Sequence, residues 1–469
     1  MSIKLEAQNE EVIAYLESLW MSSNPIIQEQ LEEKKDENII QPENIVVDTD
    51  NKVLEEQPAK QPAKQQFTKK VRDNLQALRD VGFRVYHNIG LEKEVNLQTK
   101  TVSNEDVNQV YDYKVGTIFT RKQLMTNICK TTIFPKYKSG DTKNPASFRY
   151  LVNHNNTIKI LDRMWVLDVI TKCGNNVPDS EIYKSNLVKN FSPNIIHTAI
   201  KNTECRESVV LLDITRAFDS LEWVVLEELL LANLTRKTNA DTAKELVSHY
   251  MIILKNRELY YNNIIVKISK GIPTGLPSSN LVFTLALEEI IYRWMTKQNY
   301  VNNVDFMLNV YVDDIYLKII NLIKTKEIVY SLIDILAEYK LYVNKMKSTA
   351  NENLDLTDIP NELKETDYYL GIPFTRNVKL YGELVLKEFQ TKRFNWGWDK
   401  INEKLSEDDY SEEQSIVFGF MNYKLRPLMK TDGNVNKIIL GKFINDTFVK
   451  PTPFKRMITC ITSFFKSFF

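Results

Sequence analysis

Two aliphatic runs in the middle of this 469-residue chain, joined through two aspartates, constrain its fold more than any other feature. Segments 307–312 and 315–320 read as the strands of a tight hairpin with Asp313 and Asp314 in the turn, where side chains project outwards together. An earlier run, Ser208 to Leu212, ends at Asp213 and reads as a strand carrying its acid at the tip. Between them the turn Gly271-Ile272-Pro273-Thr274-Gly275 opens a helical run from Leu281 to Met295. After the hairpin, Ile328, Val329, Leu332, Ile333 and Leu336 recur at helical spacing from about Lys326 to Tyr339, and a short strand is expected at Leu341-Tyr342-Val343. Strand, helices, hairpin, helix, strand is the split βαββαβ order, an α+β arrangement that lays the first strand beside the hairpin. On that topology Asp213 and Asp313 converge from positions 100 residues apart.

A cluster of that kind has a definite chemistry. Carboxylates are hard oxygen ligands, and two Mg2+ ions roughly 3.5–4 Å apart need such ligands to activate an attacking hydroxyl and stabilise a leaving pyrophosphate. A Tyr-x-Asp-Asp quartet such as Tyr311 to Asp314 also occurs as an ordinary β-turn whose acids cap backbone amides. The surrounding scaffold separates the two readings, because a chance quartet does not bring a second acidic strand in the right order.

From Lys136 to Phe374 these segments resemble the blocks of reverse transcriptases. The resemblance implies an α+β right-hand polymerase with a split βαββαβ palm, inserted fingers and a helical thumb. It makes Asp213, Asp313 and Asp314 the catalytic and metal-binding triad, holding two Mg2+ ions with Mn2+ as a substitute. Phe218 matches the aromatic gate under the sugar, and Tyr311 the residue beside the primer terminus. Lys136 and Phe148-Arg149 flank the turn-rich stretch Ser139 to Pro145, which resembles the fingers hairpin whose Arg clamps the incoming triphosphate. Gly275 matches the glycine of the Pro-x-Gly turn. In the block Leu341 to Ser348, Lys347 follows Asn344 by three positions and would approach the triphosphate, while Tyr369-Leu370-Gly371 looks like the turn that grips the primer. Two positions depart from the pattern: Thr274 stands where many members have Gln, and Ser279-Asn280 where they have Ser-Pro. Non-Gln turns resemble phage-defence lineages, whereas the Asn-x-x-Lys and Leu-Gly blocks resemble retroelement enzymes without terminal repeats, so the subgroup stays open.

Single positions carry their own arguments. A guanidinium such as Arg149 reads phosphate oxygens with two prongs and an ammonium such as Lys347 acts as a point charge. Both could instead be solvated surface charges. A ring at Phe218 leaves a 2′-hydroxyl neither room nor a hydrogen bond, which favours deoxynucleotides; the same residue could be a core Phe. Asp219 precedes the apolar run Leu221 to Leu231 with Glu222 three positions on, and is expected to cap that helix.

Charge is zero overall but unevenly spread. Residues 1–66 carry 6 Lys against 14 Asp and Glu, a net charge of −8, which leaves +8 for residues 67–469, as phosphate-backbone binding requires. Residues 1–66 are expected to be an acidic disordered tail and linker, with one short amphipathic helix from Glu10 to Trp20. Residues 67–200 are expected to form an N-terminal extension and fingers, 201–374 the palm with part of the fingers, and 375–469 a helical thumb or C-terminal region with an apolar helix at Ser415 to Leu428 and an aromatic, basic end from Phe454 to Phe469. Four scattered cysteines form no Cys-x-x-Cys pair and no 18-residue apolar span occurs, which points to an intracellular protein of cytoplasm or nucleus. The reading is an RNA-directed DNA polymerase of a mobile element or virus, taking dNTPs, a primer and an RNA or DNA template. An RNA-directed RNA polymerase and a domesticated, catalytically idle nucleic-acid-binding protein are the alternatives.

Overall fold

The computed structural model describes residues 2–21, 109, 129–138, 140–173 and 208–351, part of 354–388, and 424. In chain order its elements are α1 (Ser2–Trp20), β1 (Lys130–Tyr137), β2 (Phe148–Asn153), α2 (Asn156–Cys173), β3 (Val209–Asp213), α3 (Ala217–Ser220), α4 (Trp223–Lys237), α5 (Ala240–Lys255), β4 (Glu258–Tyr261), β5 (Ile264–Val266) and α6 (Ser279–Gln298). They continue with β6 (Phe306–Tyr311), β7 (Asp314–Ile319), α7 (Thr325–Glu338), β8 (Thr349–Ala350), β9 (Tyr368–Tyr369) and β10 (Ile372–Pro373). The chain divides into two compact units, Met1–Val177 with Arg216–Glu289, and Pro178–Thr215 with Ile290–Phe469.

The first unit holds a four-stranded sheet in the order β2-β1-β4-β5. Strands β1 and β2 pair antiparallel with Lys136 opposite Arg149, and β1 runs parallel to β4. Alternation sends Ile133, Tyr150, Leu259 and Tyr261 to one face, where Val12, Leu16 and Trp20 of α1 close a hydrophobic cluster over them. The structure therefore differs from the sequence reading at the N-terminus. Helix α1 is longer than Glu10–Trp20 and packs in a core, so residues 2–20 are set apart from the acidic tail in which they were expected. The three anchors fall at i, i+4 and i+8, one face of a helix. The remainder of the expected tail, Ser22 to Gln66, lies outside the described residues.

Helices α2, α4, α5 and the first half of α6 make the rest of this unit. Helix α6 is buried all round from Leu281 to Glu289, which places two carboxylates in the core. Each is paired: Glu288 with Lys237 at 2.8 Å and Asn233 at 3.2 Å, Glu289 with Arg236 at 2.5 Å.

In the second unit the sheet order is β6-β7-β3-β8, antiparallel throughout. The first strand expected from sequence does lie beside the hairpin, shifted by one residue from the expected run because Asp213 itself is in the ladder. The strand expected at Leu341–Val343 is only a single bridge, Val343 to Ile214, and the edge strand is β8 instead. Asn344 turns the chain there through its N–H to the Asp213 carbonyl, and that turn ends the run. A second hairpin, β9 with β10, packs Tyr369 and Phe374 against Val209 and Tyr316. Its loop residues Leu370 and Gly371 both have positive φ, 51° and 73°, as a two-residue hairpin turn demands. Of the expected thumb helix Ser415–Leu428, only Lys424 is among the described residues.

Candidate active site

Strand register assembles the acidic cluster. Asp213 on β3 is the cross-strand partner of Asp314 on β7, and Asp314 is also opposite Tyr311 on β6. Directly opposed residues have their Cβ atoms ~4.5–5.5 Å apart, so two carboxylates meet on one rung with Asp313 in the adjoining loop. That loop has two residues, Val312 and Asp313, and Val312 sits at φ 58°, a conformation a β-branched side chain adopts only under strain. The strain is local to the turn that presents Asp313.

The segment after α7 completes the surroundings. Ser348 Oγ accepts the Asp213 N–H at 3.1 Å and donates to the Asn344 carbonyl at 2.9 Å, while the Asn344 N–H reaches the Asp213 carbonyl at 2.7 Å. Asn344 to Ser348 thus forms a turn locked to the end of β3. It carries Lys347 Nζ to 3.6 Å from Asp213 Oδ2, a weak pair whose lysine is exposed. Met346, 87% exposed, lies beside it. A cleft of about 600 Å3 opens here, lined by Asp213, Asp314, Lys347, Lys364, Tyr368 and Leu370 among others.

Electrostatics in the cluster are unbalanced. Burial pushes the Asp314 carboxyl up to about 6 from 3.8, Asp313 and Asp213 push it further, and Lys347 only partly opposes them. Burial and the neighbouring Asp314 likewise raise the Tyr311 phenol. Among the described residues no three His, Cys, Asp or Glu side chains form a ready-made metal cluster. The described cysteines Cys129 and Cys173 are buried thiols, with Cys129 pushed up to about 12 and Cys173 to about 11 by burial. No helix among the described residues is long and apolar enough to cross a membrane.

Three of the sequence-identified residues belong to the first unit. Arg149 is exposed on β2 opposite Lys136, beside a 3-10 turn, Pro145–Ser147, that Asn144 caps. Phe218 is half-buried on α3, its ring 5.2 Å from that of Phe283 at 32°. Gly275 has φ 89°, and a Cβ there would stand 3.5 Å from the Val152 carbonyl and 3.8 Å from the His154 ring. His154 is buried and bonds the Thr274 carbonyl at 3.0 Å; burial lowers its imidazole to about 3, so it is neutral and serves the turn as a hydrogen-bonding group. The end of β2 thereby holds the Pro-x-Gly turn.

Residues 138–374, just over half of the chain, match the model of a family described as reverse transcriptase (RNA-dependent DNA polymerase). The chain belongs to the reverse transcriptase family. Two solved structures resemble it over part of their length. One is telomerase from Candida albicans in complex with the TWJ fragment of telomeric RNA, 11% identical with a TM-score of 0.42, covering 70% of this chain and 64% of that one. The other is apo telomerase from Candida tropicalis truncated from the C-terminal domain, 14% identical with a TM-score of 0.35, covering 47% of this chain and 50% of that one. This chain therefore spans less than two thirds of either. No curated protein matches the sequence.

Membership of the reverse transcriptase family rests on blocks that were legible in sequence; other residues of the site were not. Asp219 is not the cap of α4. That helix begins at Trp223 after Glu222, and the Asp219 carboxylate instead accepts the Trp20 indole N–H at 2.8 Å. Burial raises its pKa, and the Trp20 bond and nearby cations oppose the rise. Ser348 and Trp20 were invisible for the same reason: each acts on a residue 135 or 199 positions away, with no local spacing to betray it.

Proposed function

We propose that this chain is an RNA-directed DNA polymerase that adds dNTPs to a primer 3′-hydroxyl along an RNA or DNA template. The observation that carries the reading is the cross-strand pairing of Asp213 with Asp314, next to the two-residue loop of Asp313. On this reading the β6-β7-β3-β8 sheet is the palm and the β1-β2 hairpin belongs to the fingers.

The donor set fits a pair of divalent ions. Asp213 and Asp314 share a rung with Asp313 in the adjoining loop; burial and then the two neighbouring carboxylates raise Asp314, and cations with hard-oxygen preference would relieve that unfavourable charge. Asp213, Asp313 and Asp314 would hold Mg2+, with Mn2+ as a substitute, and substrate phosphates would fill the remaining positions as Mg2+ sites commonly arrange. When bound, such ions lower the pKa of an attacking hydroxyl and neutralise charge on a leaving pyrophosphate.

The chain's own residues do the rest. Tyr311 and Leu370, which pack against one hydrophobic cluster, and the Leu370-Gly371 turn would position the primer end. Lys347 supplies an exposed positive charge for triphosphate oxygens, 3.6 Å from Asp213. As the family resemblance has it, the Arg149 fork would bind triphosphate oxygens, and Gly275, at φ 89°, lets the nucleotide turn take its bend. Phe218 excludes a 2′-hydroxyl by sterics and by offering it no partner.

Primer extension with dNTPs on RNA and DNA templates tests the proposal. The unaltered chain should extend with Mg2+, and Asp313→Ala should not. Equal extension by both would remove the carboxylates from catalysis. Extension with NTPs in preference to dNTPs would move the chain to RNA synthesis.

A further inference from the structure

Helix α1 holds both flanks of the segment that carries Phe218. On one side Arg216, at φ 49°, donates from its guanidinium to the Tyr15 hydroxyl at 2.9 Å and lies 5.8 Å from the centre of the Tyr15 ring. On the other, Asp219 takes the Trp20 indole N–H at 2.8 Å. The Trp20 carbonyl in turn accepts the N–H groups of Ser269 and Lys270, at 2.7 and 3.0 Å. The chain then continues to Ile272, whose N–H reaches the Phe218 carbonyl at 2.6 Å, and to Gly271, where a Cβ would come within 3.2 Å of that same carbonyl. Trp20 itself is 7% exposed, fixed among Val12, Leu16 and the sheet. One residue of α1 thus binds, through its ring, the segment that carries Phe218 and, through its carbonyl, the segment whose Ile272 bonds the Phe218 carbonyl.

A ring that selects sugars by contact must not retreat. Phe218 rests on Phe283 on one side, but α3 has only four residues and cannot hold its own geometry by helix cooperativity. Its stiffness comes from tertiary contacts, the Ile272 N–H on the Phe218 carbonyl and the bonds of α1 to Arg216 and Asp219 on either side. Loss of either partner breaks the tie between α1 and the residue next to Phe218 and leaves the other partner part-buried without its bond, so the Phe218 backbone is no longer held on that side.

We propose that Trp20 is a positioning residue for sugar selection: through Asp219, α1 fixes the pose of Phe218 and so sets how strongly the chain prefers deoxyribonucleotides to ribonucleotides. This rests on the reading of Phe218 as the ring beneath the sugar.

The test is a set of variants of the full chain, each assayed for kcat/KM with one dNTP and the matching NTP. Trp20→Phe keeps the packing and deletes the N–H; the dNTP-to-NTP ratio should fall about tenfold while dNTP use stays within roughly threefold. Asp219→Asn keeps an acceptor oxygen and should retain the wild-type ratio, whereas Asp219→Ala should match Trp20→Phe. Combining Trp20→Phe with Asp219→Ala should lower the ratio no further, since both remove one interaction. If Trp20→Phe fails to fold, Asp219→Ala carries the same comparison. An unchanged ratio in these two variants overturns the proposal, as does an equal loss for both nucleotides, which would mark Trp20 as structural only. Phe218→Ala separates this from the parent reading: if it leaves the ratio unchanged the gate assignment fails, and if it alone relaxes the ratio only the Trp20 proposal fails.

Discussion

Replacing Asp162 by Asn should change how stability depends on pH, in a direction fixed by the geometry of one buried bond pair. Asp162, fully buried on α2, accepts the Ser278 hydroxyl at 2.6 Å and the Ser278 N–H at 2.7 Å, just before α6 begins. Burial outweighs these two bonds and the neighbouring Arg163, and pushes the carboxyl up to about 7 from 3.8. A carboxyl raised on folding binds its proton more tightly in the folded than in the unfolded chain. Its contribution is therefore full below pH 3.8 and is lost as pH rises towards 7. At about 1.4 kcal/mol per pH unit across that window, the loss amounts to roughly 4 kcal/mol. Asn has the same shape, can accept the Ser278 N–H and donate to its hydroxyl, and does not titrate. Urea unfolding of both proteins followed by far-ultraviolet circular dichroism from pH 4 to 8 isolates the effect, because all other groups cancel in the difference. The wild-type stability should fall relative to Asp162→Asn as pH rises. A difference that stays flat, or grows, would refute the argument from burial.

Two further outcomes follow from packing. Lys237→Met leaves the fully buried Glu288 carboxylate without its ion partner and should cost about 3–5 kcal/mol, while Lys237→Met with Glu288→Met should restore most of it; thermal melting of the four proteins of the cycle checks both. The β4-β5 loop is Asn262-Asn263 with φ of 47° and 66°, so Asn263→Val should destabilise by roughly 1–2 kcal/mol and Asn263→Gly should be tolerated, again read from melting curves.

What the sequence made legible was whatever repeats locally. The hairpin β6-β7, helix α7 and the tip of β3 announce themselves by alternation or helical spacing, and their bounds fall within a residue or two of the structure. The hairpin that pairs Lys136 with Arg149 was implied only by the family resemblance of the turn-rich stretch between them, and the register itself is the structure's. The failures share another cause. Leu341 to Val343 has strand composition, yet the hydrogen bonds of Asn344 and Ser348 to Asp213 decide its path, and composition does not encode those bonds. Asp219 has the spacing of a cap, but a tryptophan from the far N-terminus takes its carboxylate. Helix α1 reads as a weak amphipathic stretch before a polar linker because the sheet it covers is more than a hundred residues downstream. Tertiary contacts overrode local propensity at each of these places, as they do wherever a short element is held by a distant one.

The claim on which the account depends is that Asp213 and Asp313 serve a single chemical step. Single-turnover primer extension by Asp213→Asn, Asp313→Asn and the double variant tests it directly, since groups acting as one unit are strongly non-additive. Each single variant should lose about a thousandfold or more in rate, and the double variant should lose no more than either. A single variant that extends at the wild-type rate, or losses that multiply in the double variant, would contradict a shared site.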